Sequence, residues 1–188
     1  SLIIARNSGL KIPVAINTGG YESINTLKLF DGLVDIYMPD FKFWSSKLSS
    51  QIINAPDYKD RAIESLNEMY RQVGSIILDS ETGLMKKGMI VRHLMMPGQL
   101  FDTKKILDYL TCEFGNNIYM SLMSQYTPMP QLQTLKDNGR IIPDFLLRKV
   151  PHNHYESACD YLGGLDQENA FVQDESSAGD EMIPPFKF

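Results

Sequence analysis

Polar and charged side chains stand where several apolar segments of this sequence end. The candidates for a binding site are Thr18, Asp40, Lys42, Arg92, Gln125 and Tyr126. A carboxylate, an ammonium and a guanidinium together suit a zwitterionic or carboxylate ligand, with Arg92 as a bidentate donor and Asp40 as partner of an ammonium or hydroxyl group. Because an unpaired buried guanidinium is costly, an anion must lie within reach of Arg92.

Some of these residues, and the histidines near them, also have simpler interpretations. Asp40 and Lys42 are two positions apart, so in a strand they share one face and can form an ion pair without a ligand. His93 points to the face opposite Arg92, where we expect a hydrogen-bonded packing residue. The remaining histidines, in the sequence HNH, open a predicted surface helix and are expected to be solvated. We therefore predict no metal site in this chain.

Five short apolar runs rich in β-branched and aromatic residues predict strands. They are Pro13–Asn17, Val34–Met38, Met89–Met96, Ile118–Met123 and Ala170–Gln173. Because each run is apolar at successive positions, we expect parallel strands that are buried on both faces. In parallel α/β folds, ligands bind beyond the carboxyl ends of the strands, which is where the candidate residues stand.

Helical patterns alternate with these strands. Apolar spacings of three and four predict helices over Asp57–Val73 and Asp102–Phe114, the second with Asp102 as its N-cap. Weaker patterns predict helices over Tyr21–Phe30 and Asn153–Leu162. The alternation predicts an α/β fold with right-handed crossovers and a parallel sheet, and it leaves a barrel and an open sheet as alternatives.

Three segments fall outside this alternation. Gly74–Gly88 contains SETG between two short apolar runs, which predicts a small hairpin. Tyr126–Pro151 is rich in proline and predicts a long ordered loop, a kind of loop that often carries function. The acidic segment Asp174–Phe188 is expected to lie extended on the surface. We therefore divide the chain into a domain of residues 1–175 and a tail of residues 176–188.

The composition is that of a folded protein without a surface for nucleic acid. Of the 188 residues, 43% are hydrophobic and 22% are charged, and the formal net charge is −5. Such an acidic chain lacks the clustered basic residues that a phosphate backbone needs. The sequence shows neither a secretory signal nor an apolar run of about 18 residues, so we expect a cytoplasmic protein outside the membrane. Its two cysteines are too few to hold an iron–sulfur cluster.

Five strings of sequence, in chain order, resemble those of a known family. They are NTGGYES, VDIYMPDFKFW, NAPDY, VRHLMMPG and LMSQYTPMP. Over roughly residues 10–175, the sequence resembles radical S-adenosylmethionine proteins related to the pyruvate formate-lyase activating enzyme. The resemblance implies part of a (β/α)6 barrel, that is, a partial TIM-like barrel. It also implies oxidoreductase chemistry in which a [4Fe–4S] cluster reduces S-adenosylmethionine and the resulting 5′-deoxyadenosyl radical abstracts hydrogen from a substrate.

The resemblance assigns cofactor contacts to residues of this chain. Thr18, Asp40 and Arg92 match family positions that line the S-adenosylmethionine pocket, and Lys42 lies one alternate residue beyond Asp40. The implied roles are a hydroxyl hydrogen bond from Thr18, a polar contact from Asp40, and a contact from Arg92 to the carboxylate or ribose. The partners implied are a glycyl-radical-type protein substrate and an electron donor.

The sequence also departs from the family pattern. The activating enzymes have a histidine near the end of the sixth strand, where this chain has Tyr126 preceded by Gln125. The CxxxCxxC cluster motif and the glycine-rich methionine-binding motif are absent from the printed sequence. We therefore expect this chain to be the C-terminal part of the enzyme and inactive alone, with both motifs upstream of Ser1 in the full-length protein.

The residues by themselves also allow two other functions. The first is a small barrel lyase or aldolase that uses Lys42 as an amine nucleophile beside Asp40. The second is a docking domain without catalytic activity, in which the acidic tail and the proline-rich loop contact a partner protein.

Overall fold

The structure, a computed structural model that describes residues 1–173, alternates strands and helices along most of the chain. The strands are β1 (Ala15–Thr18), β2 (Ile36–Pro39), β3 (Ile77–Leu78), β4 (Met85–Leu94), β5 (Tyr119–Met123) and β6 (Ala170–Val172). The α-helices are α1 (Leu2–Asn7), α2 (Ile24–Lys28), α3 (Ser46–Ile53), α4 (Tyr58–Val73), α5 (Leu100–Phe114), α6 (Pro130–Asp137) and α7 (His152–Gly163).

All six strands belong to one mostly parallel sheet. Its order is β1-β2-β4-β5-β6, and neighbours along this path are parallel. The short strand β3 pairs antiparallel with the first residues of β4, which confirms the hairpin predicted around SETG. The predicted α/β fold with parallel strands is thus confirmed, and the sheet order follows the order of the chain.

Helices cover one face of this sheet. On that face, the hydroxyl of Tyr37 in β2 donates a 2.7 Å hydrogen bond to Gln72 of α4, and His93 in β4 contacts Thr103 of α5. Along β5, buried residues alternate with half-buried ones, and the second half of β4 shows the same alternation. The prediction of strands buried on both faces is therefore wrong, because α4 and α5 leave the opposite face partly open.

Helix α4 supplies much of the buried contact with the sheet. It presents Ala62, Leu66, Met69 and Val73, all buried, at spacings of three and four residues. Each fully buried Leu or Met side chain contributes about 1.5–3 kcal/mol to folding. The helix ends where Gly74 adopts a φ of 68°. Among the helices of residues 1–173, none is both long enough and apolar enough to cross a bilayer.

The start of α5 differs from the prediction. The helix begins at Leu100, and Asp102 lies in its first turn instead of at the N-cap. The Asp102 carboxylate accepts hydrogen bonds from the backbone N–H groups of Trp44 and Ser45, both at 2.8 Å. The predicted cap is wrong because this carboxylate binds the loop after β2 and not its own helix.

Helices α1, α3 and α6 were not predicted. Helix α3 begins after Ser45, whose side chain accepts a 3.3 Å hydrogen bond from the Leu48 N–H as an N-cap. Helix α6 begins at Pro130, a residue favoured in the first helical turn, so the prediction of loop throughout Tyr126–Pro151 is wrong. The predicted tail, Asp174–Phe188, lies outside the described residues.

Candidate functional site

Four polar side chains meet at the carboxyl ends of β1, β2 and β4, on the open face of the sheet. They are Asn17, Asp40, Lys42 and Arg92, and we call them the strand-end cluster. Asp40 and Arg92 form a parallel β-bridge, which places their side chains on the same face. Asn17 joins them from β1, where its register partner is Met38 of β2.

Hydrogen bonds and an ion pair join the four side chains. Arg92 donates to one Asp40 carboxylate oxygen from Nε at 2.9 Å and from Nη2 at 2.5 Å. The same Nη2 donates to Asn17 Oδ1 at 2.7 Å. Lys42 Nζ lies 3.4 Å from the second carboxylate oxygen of Asp40. The anion expected within reach of Arg92 is therefore Asp40.

The strand-end cluster keeps an excess of positive charge and access to solvent. One guanidinium and one ammonium face one carboxylate, which leaves a formal charge of +1. The side chains are 20% exposed for Asp40, 29% for Arg92 and 42% for Lys42. A ligand with an anionic group can therefore reach both cations, and the carboxylate is available for an ammonium or hydroxyl group.

Below the cluster, His93 fixes the loop that carries Asp40 and Lys42. Its Nδ1 lies 2.7 Å from the carbonyl oxygen of Phe41, and its Nε2 lies 2.9 Å from Thr103 Oγ1. Because a carbonyl only accepts, Nδ1 carries the proton and Nε2 accepts from the Thr103 hydroxyl. Burial lowers the pKa of His93, so the imidazole is neutral. The predicted packing role of His93 is confirmed.

The structure places Thr18 outside the strand-end cluster. Successive side chains of a strand alternate between faces, so Thr18 and Asn17 point in opposite directions. The Thr18 hydroxyl accepts a 3.2 Å hydrogen bond from the Gly20 N–H and thereby shapes the loop after β1. Asn17, predicted only as the last residue of a strand, contributes its side chain to the strand-end cluster where Thr18 was expected.

Gln125 and Tyr126 lie after β5, and their hydrogen bonds run to the residue after β6 and to the segment before α7. Gln125 Oε1 accepts a 2.8 Å hydrogen bond from Gln173, which follows β6. The Tyr126 hydroxyl donates to the Leu146 carbonyl at 2.8 Å, and burial raises the pKa of this hydroxyl. These contacts join the loop after β5 to its neighbours, whereas the contacts of the strand-end cluster run between β1, β2 and β4.

The histidines and cysteines of the helices lie apart from the strand-end cluster. Within residues 1–173, no group of three or more His, Cys, Asp or Glu side chains is arranged to hold a metal ion. His152 Nε2 lies 3.1 Å from the Glu156 carboxylate, one helical turn away in α7. Cys112 is exposed on α5, and Cys159 is half-buried on α7.

Apolar side chains occupy the open face beside the cluster. Ile90 and Leu94 of β4 and Met123 of β5 are half-buried there. Further along the sheet, the rings of Tyr119 and Phe171 stack with their centroids 4.9 Å apart. The face therefore combines charged groups at the strand ends with an apolar floor, an arrangement that suits a zwitterionic ligand with an apolar part.

Comparison with known proteins gives an uncharacterized relative. No protein-family profile matches the sequence. An uncharacterized protein of Methanocaldococcus jannaschii is 30% identical over 130 residues, which are 69% of this chain and 34% of that protein. The chain thus spans about a third of the length of the curated relative that it matches.

Proposed function

We propose that this chain is the C-terminal part of a radical S-adenosylmethionine enzyme similar to the pyruvate formate-lyase activating enzyme. The observation that carries the proposal is the strand-end cluster, in which Arg92, Asp40 and Lys42 meet on the open face at the carboxyl ends of parallel strands. Asp40 and Arg92 stand at positions that the resemblance assigns to the cofactor pocket, and Lys42 lies one alternate residue beyond Asp40. Ligands of parallel α/β folds bind at this end of the sheet.

The chemistry of the cluster fits the amino-acid part of S-adenosylmethionine. Arg92 and Lys42 would hold the carboxylate, while Asp40 would accept from the ammonium or from a ribose hydroxyl. Asn17 Oδ1, which already accepts from Arg92, orients the guanidinium. When bound, the cofactor would supply a 5′-deoxyadenosyl group for radical chemistry. Gln125 and Tyr126 remain candidates for contacts on the β5 side.

The partial barrel is part of the same proposal. The sheet has one helix-covered face and one half-open face, as the wall of a barrel does, and its strands follow chain order. In the complete enzyme, further strands would pair with the free edge of β1. The open face would then line the interior, and the strand-end cluster would stand at its mouth.

The [4Fe–4S] cluster does not fit this chain's own residues. Cys112 and Cys159 lie on α5 and α7, whereas the strand-end cluster lies on the face that α5 leaves open. Within the proposal, the thiolates come from a CxxxCxxC motif elsewhere in the longer enzyme. The glycyl-radical-type protein substrate and the electron donor would likewise meet the complete enzyme.

The geometry favours Lys42 as a binding cation over an amine nucleophile. Nucleophilic lysines are activated by desolvation or by a neighbouring cation, whereas the Lys42 side chain is 42% exposed and faces Asp40. Borohydride trapping of a keto substrate on Lys42 would instead support the lyase or aldolase. A complex with a partner protein that survives Asp40→Asn and Arg92→Ala would support the docking domain.

Two experiments test the proposed function. The first titrates S-adenosylmethionine into this chain by amide NMR, and we expect shifts centred on residues 17, 40–42 and 92. Asp40→Asn and Arg92→Ala should each weaken the binding, and Glu64→Gln on the exposed face of α4 should not.

The second experiment uses a longer protein that contains the CxxxCxxC motif. Anaerobic reconstitution with iron and sulfide should give a cluster that cleaves S-adenosylmethionine. Absence of a cluster despite an intact motif would overturn the proposal.

A further inference from the structure

We propose that Tyr58 is a positioning residue for the strand-end cluster. Its buried hydroxyl joins the loop after β1 to the loop after β2, and so fixes where Asp40 and Lys42 stand. The nature of the ligand in this inference rests on the proposed function, but the positioning itself rests on contacts within the chain.

The Tyr58 hydroxyl makes three contacts with backbone groups. It accepts a 2.9 Å hydrogen bond from the Lys42 N–H. It lies 3.1 Å from the Asp40 carbonyl oxygen and 3.2 Å from the Gly19 carbonyl oxygen, either of which its single proton can reach. One oxygen atom of α4 therefore contacts both loops, and two of its partners belong to cluster residues.

The surroundings of Tyr58 leave this hydroxyl no alternative partner in solvent. The residue is 1% exposed, and its ring stacks on Tyr21 at 5.6 Å and meets Phe43 edge-on at 5.5 Å. Burial raises the pKa of the hydroxyl, so it keeps its proton at neutral pH. A buried hydroxyl that lost these backbone partners would stay unsatisfied, so the contact strongly favours one arrangement of the two loops.

The close approach of the loops provides a second, independent observation. Gly20 has a φ of 78°, and a Cβ atom built on it would clash with the Asp40 carbonyl oxygen. The same Cβ would stand 3.4 Å from the Tyr58 hydroxyl. The loops therefore touch at the atoms that the hydroxyl binds, and only a glycine permits this contact.

The effect on the cluster passes through the backbone. Tyr58 binds the carbonyl of Asp40 and the N–H of Lys42, and these residues direct their side chains toward the open face. On the neighbouring strand, Arg92 Nε–H binds the Asp40 carboxylate at 2.9 Å. A shift of the Asp40 backbone therefore changes the position of the carboxylate that Arg92 and a ligand would share.

The test compares Tyr58→Phe with Tyr37→Phe in this chain. Tyr37 is an equally buried tyrosine, but its hydroxyl binds Gln72 of α4, away from the cluster. In Tyr58→Phe, we expect the Lys42 amide and the Arg92 Nε–H to exchange with solvent at least about fivefold faster, because an N–H and a carbonyl lose a buried partner. In Tyr37→Phe, both should exchange as in the wild type.

The same variants are titrated with S-adenosylmethionine. We expect Tyr58→Phe to bind about tenfold more weakly than the wild type and Tyr37→Phe to bind equally. Unchanged exchange at Lys42 and Arg92 in Tyr58→Phe would overturn the inference, and so would an exchange change spread over the whole core. If the wild type does not bind S-adenosylmethionine, the proposed function loses its support, while the exchange data still decide the role of Tyr58.

A second variant covers the case in which Tyr58→Phe does not fold. Gly20→Ala keeps the hydroxyl but forces the two loops apart. It should accelerate exchange at the Lys42 amide, and normal exchange in a folded Gly20→Ala protein would contradict the inference.

Discussion

Arg92 pairs with Asp40 through their side chains and through a parallel β-bridge, although the two residues lie 52 positions apart in the sequence. The guanidinium donates twice to one carboxylate oxygen, and the Arg92 carbonyl accepts a 2.9 Å hydrogen bond from the Phe41 N–H. The side-chain pair is thus an extension of the β2–β4 ladder. Its geometry is set by strand register, which makes it a well-oriented feature in the folded protein.

The first prediction concerns the strength of this pair. A double-mutant cycle with Asp40→Ala and Arg92→Ala should give a coupling of about 1–2 kcal/mol, because both groups are more than two-thirds buried and well oriented. Urea unfolding measures it. The exposed pair Arg61–Glu64, also joined by a 3.2 Å hydrogen bond, serves as the control and should couple by about 0.5 kcal/mol or less. Equal couplings would contradict the prediction.

The second prediction concerns pH and His93. The folded protein holds this histidine neutral and lowers its pKa, whereas an unfolded histidine titrates near about 6.5. As the pH falls below that value, the unfolded state binds the proton more readily, so the free energy of unfolding decreases. The contribution is complete above about pH 6.5 and falls by at most about 1.4 kcal/mol per pH unit until the folded pKa is reached.

His93→Gln provides the control for this pH dependence. Glutamine can donate to the Phe41 carbonyl and accept from Thr103, but it does not titrate. Urea unfolding between about pH 7.5 and 5.5 should therefore show a flatter profile for the variant than for the wild type. Charges of Asp102 and Asp40 act on His93 in the opposite direction to burial and reduce the size of the effect. Identical slopes for the two proteins would contradict the prediction.

The third prediction separates close packing from backbone strain at glycine. Gly20 and Gly32 have φ values of 78° and 74°, but only Gly20 faces another backbone at contact distance. Gly32→Ala should cost about 1–2 kcal/mol, which is the cost of a left-handed conformation with a Cβ. Gly20→Ala should cost at least about 2 kcal/mol more, because the loops must also separate. Thermal unfolding of the two variants measures the difference.

The fourth prediction concerns Asp102. Asparagine at this position keeps one oxygen, so at least one of the Trp44 and Ser45 N–H groups loses its acceptor. Asp102→Asn should destabilise the protein by about 1–3 kcal/mol. Asp108→Asn is the matched control in the same helix, since Asp108 accepts from Tyr161 at an exposed site and should cost about 1 kcal/mol or less. Chemical denaturation distinguishes the two.

Periodicity predicted the elements that are long or regularly spaced. The 16 residues of α4 carry a clear apolar stripe, and SETG marked the hairpin before β4. Helices α3 and α6 were not predicted because each has only eight residues, too few for a clear apolar stripe. Their only sequence signals are local: the serine N-cap of α3 and the proline at the start of α6. Asp102 was misplaced because its partners, Trp44 and Ser45, lie in a distant loop that local sequence does not reveal.

The candidate site was partly predictable, because most of its residues stand at the ends of predictable strands. Asp40, Lys42 and Arg92 stand at strand ends or inside an apolar run, and the parallel sheet brings them together. Asn17, and not Thr18, points into the strand-end cluster. Neighbouring residues of a strand face opposite sides of the sheet, so a shift of one position changes which side chain reaches the cluster. Nothing in the sequence around Tyr58 indicates its positioning role, because the backbone groups that its hydroxyl contacts lie 16 to 39 residues earlier in the chain.

The order of strands in the sheet bears on how the chain folds. Each parallel neighbour of a strand is the previous or next parallel strand in the sequence, so one crossover is enough to form each new ladder. No strand has to wait for a strand from elsewhere in the chain to be placed between it and its neighbour, which limits the entropy that each step costs. We therefore expect the sheet to grow outward by successive addition to β4, the central strand.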